Sequence, residues 1–253
     1  MDAAYFREYY ALERKHWWFT VRGKILADLV RRYCSSQPDL RILNVGVATG
    51  ATSEMLQQFG KVTSLEFDSD CCEFLRTEVG LEVTNGSVLE LPFADTSFDL
   101  VCAFDVIEHV DDDRKAVTEL QRVCRPGGHV FVTVPALMLL WSHHDVVNQH
   151  FRRYSKSQLL ELFKSSNGIH YATYFNSLLF LPILAFRLMS RLLPDKLLRK
   201  GAGSDFTVFE DGVSNTILRA VFSMERKLLK LFRFPIGVSI ACIWQKPTRR
   251  NRH

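Results

Sequence analysis

Between residues 41 and 136, short apolar runs alternate with amphipathic stretches, and this alternation narrows the folding options of the chain more than any other feature. The runs RILNV (41–45), KVTSLEF (61–67), LEVTN (81–85), SFDLVCAFD (97–105) and GHVFVTVPA (128–136) have strand length. They are also rich in β-branched and aromatic residues, as strands are. The intervening segments 51–59, 69–78 and 112–124 carry helical spacing. Strands apolar on both faces have to be covered on both, so the pattern predicts a parallel sheet wrapped by helices. RPGG (125–128) reads as a turn that stops a helix and launches a strand. Upstream, 5–33 reads as one or two helices, joined to the first strand by the linker SSQPDL (35–40). Downstream come a helix at 155–166 capped by Ser155, strands at 168–176 and 234–246, and two helical patterns between them. No internal repeat is present. A chain of 253 residues, 47% hydrophobic and 24% charged, suits one such domain with an elaboration.

Charge is divided unevenly. Residues 1–150 hold 14 Lys/Arg against 22 Asp/Glu, a net −8, and residues 151–253 hold 18 against 6, a net +12. One face is therefore expected to meet something anionic, with simple solvation of exposed helices as the alternative. The six cysteines (34, 71, 72, 102, 124, 242) show no CxxC pair or regular spacing and read as reduced thiols of a cytoplasmic protein. MDAAYFREYY lacks the basic and apolar regions of a secretory signal, and no run of about 20 apolar residues could span a bilayer.

LNVGVATG (43–50) is a strand running into a Gly-rich corner, which places backbone N–H groups and a helix N-terminus at the carboxyl edge of a sheet. As a dinucleotide fingerprint it fails, since G-x-G-x-x-G becomes Gly46, Ala48, Ala51. Glu66 stands at the end of the second strand, where a carboxylate can accept both hydroxyls of a ribose. That suits NAD and adenosyl compounds equally well.

The order of motifs downstream separates the two. ILNVGVATG, LEFDSDCCEFLR (65–76), NGSVLELPFADTSFDLVCAFDVIEHV (85–110) and ELQRVCRPGGHVFVTVP (119–135) occur in sequence at ordinary spacing. Across residues 40–135 the chain resembles the class I S-adenosylmethionine-dependent methyltransferases. The resemblance implies an α/β fold: a doubly wound, mostly parallel seven-stranded Rossmann-like sheet with its last strand antiparallel. It implies S-adenosyl-L-methionine as cofactor and S-adenosyl-L-homocysteine as product. The loop Gly46, Val47, Ala48 to Gly50 would pack against the methionine part, Glu66 would hold the ribose hydroxyls, and Phe67 would lie against the adenine. Ser87 and Val88 would meet the adenine amino edge, and the backbone carbonyls of Phe104 and Asp105 would receive the ammonium group. Asn44, Ala48 and Ser87 stand where the family usually has an acid, a glycine and an Asp. Asn44 keeps an acceptor to brace the loop, Ser87 can still accept a hydrogen bond, and Ala48 is tolerated unless its φ is positive. Each change is expected to weaken binding by about 1 kcal/mol.

For the acceptor, neither an Asp/Asn-Pro-Pro-aromatic motif nor a Pro-Cys nucleophile follows the fourth strand, and no RNA-binding module stands out, so nucleic acid is not expected. IEHV (107–110) resembles the same segment of ubiquinone-pathway O-methyltransferases, which implies that His109 faces the site. LLWSHHDVVNQHFRRYSKSQL (139–159) concentrates His143, His144, Asp145, His150, Arg152, Arg153 and Tyr154 at the sheet's carboxyl edge. His109, His144 and Asp145 are the catalytic candidates, as a base and its orienter. Trp18, Arg22, Trp141, His150, Arg152, Arg153 and Tyr154 are the acceptor-binding candidates, the Arg pair gripping phosphate or carboxylate. H-H-D-x4-H is no established ligand spacing, so no metal is expected. This segment and ERKHWWFTVRGK (13–24) resemble, more loosely, a bacterial subgroup associated with cell-envelope glycan and lipid pathways. Trp17, Trp18 and Phe19 would form a lid or pack in the core.

SLLFLPILAFRLMSRLLPDKLLRK (177–200) combines an apolar run with Arg187, Arg191, Lys196, Arg199 and Lys200, which suits a helix in a membrane interface or a cap over the pocket. LRAVFSMERKLLKLF (218–232) is similar. The expected organisation is an N-terminal helical lid (1–36), a cofactor-binding core (37–176), a helical insert (177–233), the last core strand (234–246) and a basic tail (247–253). The expected function is methylation of an oxygen on a small lipophilic or lipid-linked, glycan- or quinone-like acceptor. Peripheral contact with an anionic membrane is expected at the inner face. A soluble sugar or nucleotide-sugar acceptor, or a non-catalytic cofactor-binding protein, are the alternatives.

Overall fold

The computed structural model describes residues 3–35, 38–163, 168–192 and 213–248. Seven strands form: β1 (Leu40–Val45), β2 (Gly60–Glu66), β3 (Val83–Asn85), β4 (Phe98–Phe104), β5 (Cys124–Pro135), β6 (Ile169–Phe175) and β7 (Ser239–Gln245). They make one sheet in the order β3-β2-β1-β4-β5-β7-β6. The pairings β1–β2, β1–β4, β2–β3 and β4–β5 are parallel, and β7 runs antiparallel between β5 and β6. This is the expected fold class, last antiparallel strand included.

Side-chain alternation shows why both faces had to be covered. Leu43 and Val45 of β1, with Val101 and Ala103 of β4, enter one core, together with Ala116, Val117 and Leu120 of α5 (Asp113–Val123) and Leu159 of α7 (Lys156–Leu162). Leu40 and Ile42 of β1, with Leu100, Cys102 and Phe104 of β4, enter the other, together with Val21, Ile25 and Leu29 of α2 (Trp17–Tyr33). The central strands β1 and β4 are largely hydrophobic because successive residues serve opposite cores.

Three boundaries differ from the sequence reading. RPGG lies within β5: the register slips between Phe98 and Leu100, which pair with Cys124 and His129, so the extra residues bulge there. The last strand begins at Ser239 rather than 234. Pro235 has no N–H to give a ladder, and a Cβ on Gly237 would lie 2.6 Å from the Phe175 carbonyl oxygen. Between β5 and α7 the chain forms a short helix, α6 (His143–Val147), that periodicity did not reveal because five residues are too few to carry it.

The N-terminal helices are α1 (Ala3–Lys15) and α2, and α3 (Ala51–Leu56) and α4 (Ser69–Phe74) follow β1 and β2. The helices between β6 and β7 are α8 (Phe180–Leu192) and α9 (Val213–Leu228). Phe222 of α9 stacks on Trp18 at 5.3 Å, Asn215 Oδ1 accepts the Trp17 N–H, and Arg226 pairs with Asp28 at 2.8 Å. Arg187 of α8, read from sequence as part of a membrane-interface helix or a cap over the pocket, is buried: it donates to the Leu140 carbonyl and lies 4.0 Å from Asp145. An inward guanidinium finds carbonyl and carboxylate partners that a membrane-facing one would seek in lipid. Lys196, Arg199 and Lys200 of the same reading lie outside the described residues, as do residues 249–253 of the tail. No helix among the described residues is long and apolar enough to cross a membrane.

Candidate active site

The sheet order reverses direction between β1 and β4, and at such a switch point the loops leaving the two carboxyl ends open a crevice. The loop after β1 is shaped by close approach. Gly46 has φ 66°, and a Cβ there would lie 2.6 Å from Val106 Cγ2, so only glycine lets the loop rest against the segment after β4. Gly50, with φ 92°, caps the N-terminus of α3.

Ala48 also adopts a positive φ, 46°, which is the condition that the sequence reading set for strain. The left-handed conformation costs an L-residue about 1–2 kcal/mol, and glycine gives back part of that through its looser unfolded chain. Ala48→Gly is expected to stabilise the protein by about 0.5–1 kcal/mol, read as a raised urea midpoint. An unchanged or lowered midpoint would refute the strain.

Asn44 is buried behind the loop, where its amide donates to Thr52 Oγ1 (2.9 Å) and Ser53 Oγ (3.0 Å). It thus braces the first turn of α3 as a donor, not the loop amides as an acceptor. From outside, α1 clamps the same loop: Thr49 Oγ1 donates to the buried Glu13 carboxylate, and Arg14 pairs with Glu54.

Glu66 ends β2 beside this loop and accepts the N–H groups of Ala48 (2.9 Å) and Phe67 (2.8 Å). Burial raises its pKa, against the pull of the hydrogen bonds from Asp68, Ala48 and Phe67. Phe67 projects with 75% of its surface exposed, while Asn85 Nδ2 ties down the carbonyls of Glu66 and Phe67. A bare aromatic ring next to a hydrogen-bonding carboxylate, at a loop with a glycine-only approach, fits an adenosyl ligand. Ser87 Oγ accepts the Leu89 N–H, and Val88 turns its side chain into the core. Phe104 is likewise a core residue, packed edge-on to Phe131 at 5.0 Å. Asp105 follows with φ 57°, its carboxylate held by Arg22 (2.6 Å) and Thr133 (3.1 Å).

On the other side of the crevice the structure regroups the residues singled out from sequence. Trp18 is stacked between Phe175 and Phe222, so it serves the core rather than the acceptor. Arg22 holds Asp105. Trp141 closes the short turn Met138–Leu140, its N–H donating to the Met138 carbonyl. Arg152 pairs with Asp113 at 2.9 Å, and buried Tyr154 donates its hydroxyl to the same Asp113. Arg153 is buried against Asp145 at 2.7 Å. The two arginines offered as phosphate grips are thus engaged by carboxylates of the protein itself.

Asp145, fully buried, takes His150 as its imidazole partner: His150 Nδ1 stands 2.9 Å from Asp145 Oδ1. His144 lies beside Asn148. Burial opposes ionisation of Asp145, yet the His150 hydrogen bond and the Arg153 charge outweigh it and hold the carboxyl below the usual range. The His150 ring meets the His109 ring edge to face, centroids 4.6 Å apart. Burial and the neighbouring His150 lower the His109 pKa to about 4, leaving the ring neutral at ordinary pH.

The sequence reading missed Glu108. It is fully buried, and neither carboxylate oxygen meets a donor among the described residues. Burial, reinforced by Asp105, pushes its pKa well above ordinary carboxylate values. Its position beside His109, just after β4, was the available signal. Leu137 (φ 59°) and Gln149 (φ 55°) join Asp105 as non-glycine residues in the left-handed region, all on loops bordering this cluster.

Residues 43–132 match the family model of the methyltransferase domain. Over this segment the chain is similar to S-adenosylmethionine-dependent methyltransferases, which supports S-adenosyl-L-methionine as the cofactor. Among curated relatives, a Mycolicibacterium smegmatis protein named a probable S-adenosylmethionine-dependent methyltransferase is 27% identical over 159 residues, 61% of this chain and 60% of that one. The demethylmenaquinone methyltransferase of Renibacterium salmoninarum is 34% identical over 97 residues, 38% of this chain and 41% of that one. The chain thus spans less than two thirds of the length of either relative. Among solved structures, phosphoethanolamine N-methyltransferase 2 of Haemonchus contortus, in complex with S-adenosyl-L-methionine, superposes with a TM-score of 0.55 at 17% identity. That match covers 89% of this chain and 52% of that one, and at such identity it speaks for the fold alone.

Proposed function

We propose that the protein transfers the methyl group of S-adenosylmethionine to an oxygen of a small lipophilic or lipid-linked acceptor. The observation that carries this reading is the composition of the crevice's far side. Beside the polar cluster of Glu108, His109 and His150, the stretch 138–151 that supplies His150 exposes Met138, Leu139, Val146, Val147 and Phe151, and the Phe151 N–H donates to the Glu108 carbonyl. Clustered exposed apolar side chains with a few convergent polar groups suit a ligand with an apolar body and a polar reacting end. The sugar reading loses its support here, because Arg152 and Arg153 are engaged by Asp113 and Asp145.

In this reading the loop Gly46–Gly50 cradles the methionine part of the cofactor, Glu66 accepts the ribose hydroxyls and Phe67 covers the adenine. The cofactor supplies a methyl group on a sulfonium, whose sulfur departs as a neutral thioether. The protein would align acceptor oxygen and methyl group in line and keep water out. The imidazole of His109 or His144 would take the hydroxyl proton as the oxygen–methyl bond forms and the sulfur–methyl bond breaks. Arg22 and Thr133 fix the β4 end through Asp105. α8, anchored through Arg187 to the Leu140 carbonyl, covers the acceptor segment.

Incubation with methyl-labelled S-adenosylmethionine and a cell extract, followed by organic–aqueous partition, tests the proposal. Label is expected in the organic phase, and absent from it for Glu66→Ala. Label in the aqueous phase alone would overturn the lipophilic acceptor, and label in neither phase would overturn the transferase reading.

A further inference from the structure

We propose that Glu108, His109 and His150 form a binding site for a divalent first-row transition cation. The three residues come from two distant segments, the turn Ile107–His109 after β4 and the loop after α6, and each places one ligand-capable atom within 4.8 Å of the others. Bonds of about 2.0–2.2 Å from a Zn²⁺-like ion to nitrogen and oxygen need only a modest contraction of this trio.

Glu108 supplies the independent reason. A carboxyl with no accessible surface and no side-chain donor on either oxygen bears a desolvation cost that its own backbone N–H and the charges of Arg22 and Arg153 offset only in part. An orphaned buried group of this kind calls for a partner, and a cation between it and two imidazoles is one.

The surroundings already orient both rings. His150 Nδ1 is engaged by Asp145 Oδ1 at 2.9 Å, which leaves Nε2 as its ligand atom. Asp145 is itself fixed by Arg153 and by the Ser142 N–H at 2.7 Å. The His109 ring is held edge to face against the His150 ring, centroids 4.6 Å apart. Metal-binding imidazoles are held as His150 is, one nitrogen fixed by a carboxylate or carbonyl so that the other is aimed and basic. Two imidazoles and one carboxylate suit Mn²⁺, Fe²⁺, Co²⁺ or Zn²⁺ better than Ca²⁺ or Mg²⁺, which prefer oxygen. Three protein ligands leave coordination positions open for water or for an oxygen of a small molecule.

Occupancy of this site does not depend on the methyl-transfer reading, and its test uses neither cofactor nor acceptor. Full-length protein is freed of metal by chelator dialysis and titrated with Co²⁺, following visible d–d absorption, then with Zn²⁺ in competition by calorimetry. Wild type is expected to give a single saturable site. Glu108→Gln, which keeps the packing, and His150→Ala should each weaken it at least 10-fold, and Asp145→Asn by about 10–100-fold. His143→Ala, an exposed histidine outside the trio, should bind as wild type does. Circular dichroism confirms that each variant is folded, and His150→Ala, at the half-buried edge, keeps the test open should Glu108→Gln fail to fold. No saturable binding by wild type, or wild-type affinity in folded Glu108→Gln or His150→Ala, would overturn the site. Methyl transfer without cation binding would defeat this inference alone, and cation binding without transfer would defeat only the transferase reading.

Discussion

Asp145→Ala is expected to destabilise the protein by about 3–5 kcal/mol, the cost of removing one partner from a buried ion pair. Asp145 is completely buried and accepts from Arg153 Nε at 2.7 Å, His150 Nδ1 at 2.9 Å and the Ser142 N–H at 2.7 Å. Arg153 and Arg187 are themselves buried, and Arg187 lies 4.0 Å from the same carboxylate. Alanine would leave two guanidinium groups inside the protein without the charge that offsets their desolvation, and it would release the His150 ring. Asp145→Asn keeps the shape and one acceptor, so its loss should be smaller. Urea unfolding of both variants checks the ordering, and a loss below about 1 kcal/mol for Asp145→Ala would show that the cluster is not held by this charge.

The second large effect belongs to Glu66. In the proposed site, removing its carboxylate would take away the acceptor for two hydroxyls of the cofactor, and it removes the tie to the Ala48 N–H, 2.9 Å from Oε2. Hydrogen bonds to a charged group contribute about 1.5–3 kcal/mol each. Glu66→Ala is therefore expected to weaken cofactor binding by at least about 100-fold, since every 1.4 kcal/mol is tenfold. Calorimetric titration with S-adenosylhomocysteine measures it directly. Glu66→Gln, which retains one acceptor, should fall in between. Binding of Glu66→Ala within about threefold of wild type would remove Glu66 from the cofactor site.

The two predictions fall on opposite sides of what could be read without a structure. Glu66 could be singled out because the features that point to it are local: a strand end, a fixed distance beyond a Gly corner, and a short-range order of motifs. The same holds for the sheet. Leu40 and Ile42 on one side and Leu43 and Val45 on the other show by their apolarity that both faces of β1 are covered. Val88 and Phe104, singled out from sequence as cofactor neighbours, turn their side chains into the core instead.

Asp145 belongs to the other side. Its proximity to His144 in sequence suggested one imidazole partner, and the turn of α6 delivered another, His150. Arg152, Arg153, Tyr154 and Trp18 looked available for an acceptor because a sequence shows polarity and size but not what lies opposite. Asp113, Asp145, Phe175 and Phe222 occupy those positions, brought there from distant segments. Glu108 is the sharpest case. On its own it is an ordinary acidic residue after a strand, and its missing donors appear only once β4, the turn after it and the loop following α6 are packed together.

Most strands and helices, and the burial of both sheet faces, were legible in the sequence, and the order of motifs there carries the expectation of an adenosyl cofactor site. These depend on periodicity and short-range backbone geometry, which a few neighbouring residues specify. Only the tertiary structure decided which carboxylate pairs with which cation and which imidazoles converge on Glu108. Pairing and desolvation depend on distances between segments that the chain order does not contain.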